Sequence, residues 1–296
     1  MIINNATLTA LRVSFNLSFT MGLGKAPRVT DPFVTPVPAS TKVETFGFLG
    51  DFPIFKKWVG PKQIKALEER AYSITVDDYE VTVAVHKNKI KDDNLGLYPS
   101  MLEGIGQDAG YLRDRLCLDA LKAGHTSTGY DGQFFFDSDH VINGVTFSNI
   151  NTAGTVEPWY LMDLSKPLKP IIYVDREKPN FVSNVNANGQ NDHLFNLGEY
   201  LFGGEARGAA GYSYWQTSYR STATLNAANY EAAKQIMSSY TDDNGEKLGI
   251  VPTHIVVGTS NLAAAQKLFE AQNLAGGESN IYWKKLIIID ASSRLP

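Results

Sequence analysis

Apolar and polar positions along the chain alternate with two different periods, and the change of period marks its elements. Leu8, Leu11, Phe15 and Phe19 recur at three- and four-residue spacing, with Asn5 or Thr7 available as an N-cap. This predicts a short amphipathic helix with one face to bury. Residues 22–41 then carry Gly22, Gly24, Pro27, Pro32, Pro36 and Pro38, which oppose both helix and central strand and predict an extended arm. From Thr41 to Trp58 the chain is rich in aromatics, with Gly47, Gly50 and Pro53 as turn formers, and reads as a long hairpin or projecting loop. Tyr72–Asp77 and Tyr79–His86 alternate apolar with polar residues on either side of Asp77-Asp78, and an antiparallel hairpin about that turn is expected.

The helical period returns over residues 98–123, where Leu102, Ile105, Ala109, Leu112, Leu116, Ala120 and Ala123 share a face, Pro99 lies in the first turn and Gly124 follows the end. At a rise of about 1.5 Å per residue this helix would be roughly 40 Å long. Gly104, Gly106 and Gly110 each weaken it by about 1 kcal/mol relative to Ala, so its first half is expected to bend or fray and Gly110→Ala to be tolerated. The second half of the chain mixes the two periods. Pro170–Val174, Tyr212–Tyr219 and Thr253–Val257 read as strands, Asn226–Ser239 and Thr259–Gln272 as helices, and Lys285–Asp290 as a final buried strand. The fold class expected is α+β, without internal repeats.

Composition narrows the function. At 296 residues and 43% hydrophobic content the chain can bury a sizeable core, and two lobes fit its length. Lys and Arg total 27 against 31 Asp and Glu, a net charge of −4, which lacks the basic excess of a dedicated nucleic-acid binder. The sole cysteine, Cys117, falls in the long helix and suits a buried apolar role in a reducing compartment. No basic leader precedes an apolar run at the N-terminus, so no export is expected, and no stretch is apolar for long enough to predict a membrane-spanning helix.

Candidate chemistry is sparse. Asp137, Asp139 and His140 offer two carboxylates and an imidazole within four residues, but no further ligand accompanies them, and turn chemistry suits the aspartates better. Met21–Lys25 and Gly203–Gly211 are glycine-rich without the strand-to-helix context of a phosphate cradle, and both read as loops. His86, His125, His140, His193 and His254 are scattered without ligand spacing, and no serine lies in a nucleophile elbow. No catalytic, metal or cofactor-binding residue is therefore assigned. Two lobes, an arm and an aromatic loop favour assembly over catalysis.

Four segments are more specific than their physics. Thr41–Pro53 followed by Trp58-Val-Gly resembles the projecting-loop region of Mu-like phage major head subunits, and Asp93–Tyr98 resembles that family's lead into its long helix. Gly129–His140 and Gly204–Gln216 are similar to two further family signatures, in the expected order along the chain. Phe55-Lys56-Lys57 stands where the family usually has Met-Arg-Glu, and Val141 where it usually has proline.

The resemblance implies the Hong Kong 97-type capsid fold. Its parts would be an N-terminal arm over 1–40, an extended loop over 41–71, a peripheral domain over 72–150 with a spine helix at 98–123, and an axial domain with returning peripheral strands over 151–296. It further implies a major capsid protein of the virion that forms hexamers and pentamers in an icosahedral shell around double-stranded DNA contacted non-specifically. A scaffold protein and a head protease would be supplied in trans, with a portal, possible decoration proteins and no membrane. Phe46, Phe48, Phe52, Phe55 and Trp58 are expected to contact a neighbouring subunit, and Leu102, Ile105, Leu112 and Leu116 to form the core face of the spine helix. Lys56, Lys57 and Lys62 are the lysines a subunit crosslink could use. The rival readings are a nanocompartment shell of the same fold and a metal-dependent hydrolase centred on Asp137, Asp139 and His140.

Overall fold

The computed structural model describes residues 5–49, 69–92, 96–185, 192–242, 245–274 and 276–296. In chain order, helix α1 (Asn5–Leu23) leads through a 3-10 turn at Asp31–Phe33 to strands β1 (Val34–Pro38), β2 (Val43–Leu49), β3 (Glu69–Thr75) and β4 (Asp77–His86). Helices α2 (Lys87–Asp92) and α3 (Leu97–Ala123) follow, then β5 (His140–Ile142), β6 (Val145–Phe147), β7 (Ile150–Asn151), β8 (Trp159–Met162) and β9 (Ile171–Ser183). The chain closes with α4 (Asp192–Leu197), β10 (Glu199–Tyr212), β11 (Ser218–Ser221), α5 (Ala227–Ser239), β12 (His254–Val257), α6 (Thr259–Phe269) and β13 (Ile287–Asp290).

The strands form a four-stranded sheet in the order β1-β9-β10-β4, a five-stranded sheet in the order β13-β12-β8-β11-β7, and the two-stranded pairs β2-β3 and β5-β6. The α+β expectation matches this mixture. One core joins the two larger sheets through residues such as Phe135, Phe136, Tyr160, Ile172 and Tyr212, and a second, smaller core holds Leu8, Phe15, Val85, Leu102 and Phe202 beneath α1.

The first helix forms as its spacing predicts, burying Leu8, Phe15 and Phe19. The proline-rich arm becomes partly a strand: β1 pairs in parallel with β9 at the edge of its sheet, where Pro36 and Pro38 leave an outward position without a donor. Asp114 on α3 holds the arm down by accepting hydrogen bonds from the Val29 amide at 2.7 Å and from the Thr30 hydroxyl.

Four expectations are corrected. The segments on either side of Asp77 do not pair with each other: β3 pairs with β2 and β4 with β10, while Val76 between them is buried and its amide donates to the Lys42 carbonyl. Alternation shows that a segment is half-buried and leaves its partner unspecified. The glycine-rich run at 203–211 is no loop but part of β10, the long strand between β9 and β4. A Cβ on Gly203 would lie 2.0 Å from the Val81 carbonyl oxygen and one on Gly208 2.5 Å from the Tyr173 hydroxyl, so the neighbours occupy the space side chains would need. The strand expected over Tyr212–Tyr219 is two strands of different sheets joined by a 3-10 turn at Trp215–Thr217. The last strand, β13, is an exposed edge rather than a buried strand, with Ile287 facing outward.

The fifth correction concerns α3, which runs as one unbroken helix from Leu97 to Ala123 with no frayed half. It lies beside α1, and two of its three glycines, Gly106 and Gly110, are where it comes closest to α1 and the segment after it. A Cβ on Gly106 would be 2.0 Å from the Phe19 carbonyl oxygen, and one on Gly110 2.5 Å from the Ala26 Cβ and 2.9 Å from the Leu23 carbonyl oxygen. Gly110→Ala is therefore not a neutral change, since a fixed backbone and a neighbouring side chain fill the space.

Candidate assembly surfaces

The base of the β2-β3 hairpin is fastened to its own subunit by aromatic packing. Phe48 is buried, its ring stacked on Tyr130 at 5.0 Å and meeting Tyr214 edge-on at 5.4 Å and Tyr72 at 6.1 Å. Phe46 is half-buried beside it, with ring centroids 6.4 Å apart. The Tyr72 hydroxyl accepts from the Tyr212 amide at 3.3 Å, tying β3 to the end of β10. Alternating large rings on one face of a strand pair is what seats the hairpin, since cross-strand aromatic pairs add to the area they bury. Phe52, Phe55 and Trp58 lie outside the described residues, as do Lys56, Lys57 and Lys62.

The long helix divides three of the four residues named for its core between the smaller and the main core, and Leu112 is buried outside both. Leu102 is fully buried in the smaller core, with Ile105 half-buried beside it. Leu112 is buried, and Leu116 is half-buried against the main core. Cys117 is fully buried next to them, and desolvation pushes its thiol up to about 12, which leaves it a packing residue without a reactive thiolate at neutral pH.

Asp137, Asp139 and His140 diverge instead of converging. His140 opens β5, is fully buried, and stacks on Trp215 with ring centroids 4.0 Å apart and planes 8° apart. Its Nδ1 lies 2.7 Å from an Asp131 carboxylate oxygen and its Nε2 3.2 Å from the Asn149 side-chain oxygen, so both nitrogens are engaged and neither is left for a metal. Asp137 caps its own turn, accepting from the Ser138 amide at 2.7 Å and the Phe134 amide at 3.3 Å, while Asp139 is exposed. Among the described residues no group of three or more His, Cys, Asp or Glu is placed to hold a metal ion. The histidine is thus a structural post, not the turn residue its neighbours in the sequence suggest.

Asn149, which sequence reasoning missed, organises that corner. Its side-chain oxygen also accepts from the Asp137 amide at 2.8 Å, and its amide nitrogen donates to the Phe135 carbonyl at 2.8 Å. A lone asparagine ahead of a short strand carries no periodic or spacing signal. Arg207 was missed likewise: on β10 it reaches both flanking strands, with an ion pair to Asp78 and another to Glu177 at 3.0 Å.

Comparison with known proteins agrees with this geometry. The family described as Mu-like prophage major head subunit gpT matches residues 8–293. The chain is 37% identical over 292 residues to the major capsid protein of Escherichia phage Mu, covering 95% of each protein. Among solved structures, a chain of the bacteriophage JBD30 procapsid superposes with a TM-score of 0.84 at 34% identity, covering 98% of this chain and 99% of that one. A chain of the JBD30 capsid decorated with minor capsid protein trimers superposes with a TM-score of 0.78 at 27% identity, covering 99% of both.

Proposed function

Since the chain belongs to the family of Mu-like prophage major head subunits, we propose that it builds its phage head by closing through hexamers and pentamers into an icosahedral shell around double-stranded DNA. It is a structural protein of the virion and not an enzyme. The hydrolase and nanocompartment readings give way to the phage head for the same reason. The single observation that carries the proposal is the family match over 8–293, which takes in both sheets, the long helix and the arm.

In this reading α1 and the segment up to 40 are the N-terminal arm, 41–71 the extended loop, 72–150 the peripheral domain with its spine helix, and 151–296 the axial domain with the returning strands β9 and β10. A scaffold and a head protease act in trans, a portal occupies one vertex, and a minor capsid protein of the kind that decorates the JBD30 capsid is the class of decoration partner. The net charge of −4 suits a wall that contains DNA without gripping its phosphates. Among the described residues no helix is long and apolar enough to cross a membrane.

Expression of the full chain with its scaffold, followed by negative-stain microscopy, tests the proposal. Closed particles of uniform size are expected, and only unassembled subunits would overturn it. A second variant examines the loop. Because Phe48 packs within the subunit, replacing 50–68 by a Gly/Ser linker while keeping Phe48 is expected to leave circular dichroism unchanged and to abolish closed shells. Normal particles from this variant would show that Phe52, Phe55 and Trp58 do not hold a neighbour.

A further inference from the structure

The five-stranded sheet has two unlike edges, and each carries exposed apolar side chains beside exposed charged ones; at the β13 edge two lysines precede the strand, and Asp290 at its far end is taken up by the Ser292 amide at 2.9 Å. At the β13 edge the segment leading into the strand exposes Ile281 (73%), Trp283 (39%) and Ile287 (62%). Lys284 and Lys285 are exposed among them. Lys284 lies over the Trp283 ring at 4.6 Å, and neither lysine has a carboxylate partner among the described residues. At the opposite edge, β7 follows directly on the β5-β6 hairpin, where Val141 (56%), Val145 (53%) and the preceding Phe134 (44%) are exposed. Asp139 is exposed there too, without an ion pair or hydrogen bond among the described residues. Four strand spacings separate the edges, or about 19 Å at roughly 4.8 Å each, so the two patches cannot satisfy one another within a subunit.

Two different, complementary patches on opposite sides of one body are what a head-to-tail ring requires, whereas a two-fold dimer would need one self-complementary patch. Clusters of exposed apolar side chains mark contact surfaces, and opposite charges fix register and partner choice more than they add affinity. We propose that the β13 edge of one subunit docks against the β5-β6 hairpin of the next copy around each capsomer, with Lys284 and Lys285 facing Asp139 and the apolar side chains closing between them. The occupant is a second copy because the complement to each patch is found on the chain itself. The proposal rests on the shell-forming reading above and adds which surfaces meet.

A charge swap tests it in the full chain co-expressed with scaffold. The double variant Lys284→Glu, Lys285→Glu and the single variant Asp139→Lys are each expected to stay folded by circular dichroism and to yield roughly tenfold fewer particles. The triple variant combining them is expected to recover most of the yield, which a purely structural role for these side chains would not produce. Unchanged yields, or a triple variant that stays folded without recovering, would overturn the proposal while leaving the shell reading intact. Absence of particles from the unaltered chain would overturn both. Independently, Val141→Cys with Ile287→Cys should give a disulfide ladder up to pentamers and hexamers after mild oxidation. Dimers from either single variant alone would indicate a two-fold contact and overturn the proposed edge-to-hairpin docking.

Discussion

At the scale of single residues, the corner around His140 separates side chains that hold the subunit together from those that only shape a turn. Removing the imidazole deletes the stack on Trp215 and the bond to Asn149, and takes from the Asp131 carboxylate, 10% exposed, its 2.7 Å contact with the ring Nδ1. Loss of one member of a buried pair costs more than the pair contributes, because the remaining group keeps its desolvation penalty. His140→Ala is therefore expected to lower unfolding stability by about 3 kcal/mol in urea titrations, against about 1 kcal/mol for Asp137→Ala, which loses only turn bonds. Equal costs would show that the buried network is not what holds this corner. Cys117 gives a second measurement at this scale. Fully buried and with its thiol pushed up to about 12, it should be inert to a thiol reagent at pH 8 and react at once in denaturant. The sequence brought Asp137, Asp139 and His140 to attention because they are adjacent. What decides their roles is Asp131, Asn149 and Trp215, which tertiary structure brings together and no local pattern announces.

At the scale of elements, the contact between α1 and α3 depends on residues that lower the propensity of either helix alone. Gly106 and Gly110 sit against the backbone of α1 and of the segment after it, while a Cβ at Gly104 would meet nothing within 4 Å. The three glycines should respond in opposite directions to alanine. Gly104→Ala is expected to raise stability by about 1 kcal/mol through propensity alone, and Gly106→Ala to lower it by about 2–3 kcal/mol because the helices must separate. Thermal melts followed by circular dichroism read both, and a stabilising Gly106→Ala would show that the helices do not touch there. Periodicity reveals which residues face inward, so α1, α3, α5 and α6 were legible, and Asn226 accepts from the Asn229 amide at 2.9 Å as the N-cap of α5. It does not reveal what lies opposite. For that reason β3 and β4 read as one hairpin, and the small residues of β10 read as a loop when they are fitted to Val81 and Tyr173. Glycine chosen for close approach is indistinguishable in sequence from glycine chosen for a turn.

At the scale of the whole molecule, buried tyrosines span both large sheets and the helices packed on them, and their hydroxyls make the subunit's stability depend on alkaline pH. Burial pushes Tyr160 on β8, Tyr212 on β10, Tyr219 on β11 and Tyr230 on α5 up to about 12, and raises Tyr240 well above the ordinary phenol value. The Tyr212 hydroxyl donates to the Ala120 carbonyl at 2.7 Å and that of Tyr240 to the Ser148 carbonyl at 3.0 Å, bonds that exist only in the protonated form. In the unfolded chain these phenols titrate near pH 10. Between about pH 10 and 12 the unfolded state has released protons that the folded state still holds, so stability is fully present below pH 10 and is lost as pH rises above it. The melting temperature should accordingly be flat from neutral pH to about pH 9 and fall steeply beyond about pH 10. Because the affected side chains lie on both sides of the shared core, the loss should be a single transition in which the buried tyrosines' share of tyrosinate absorbance appears together with the collapse of near-ultraviolet circular dichroism. Full tyrosinate absorbance while that dichroism persists would mean the phenols titrate in the folded subunit, and the two sheets would then not share the closed core described here.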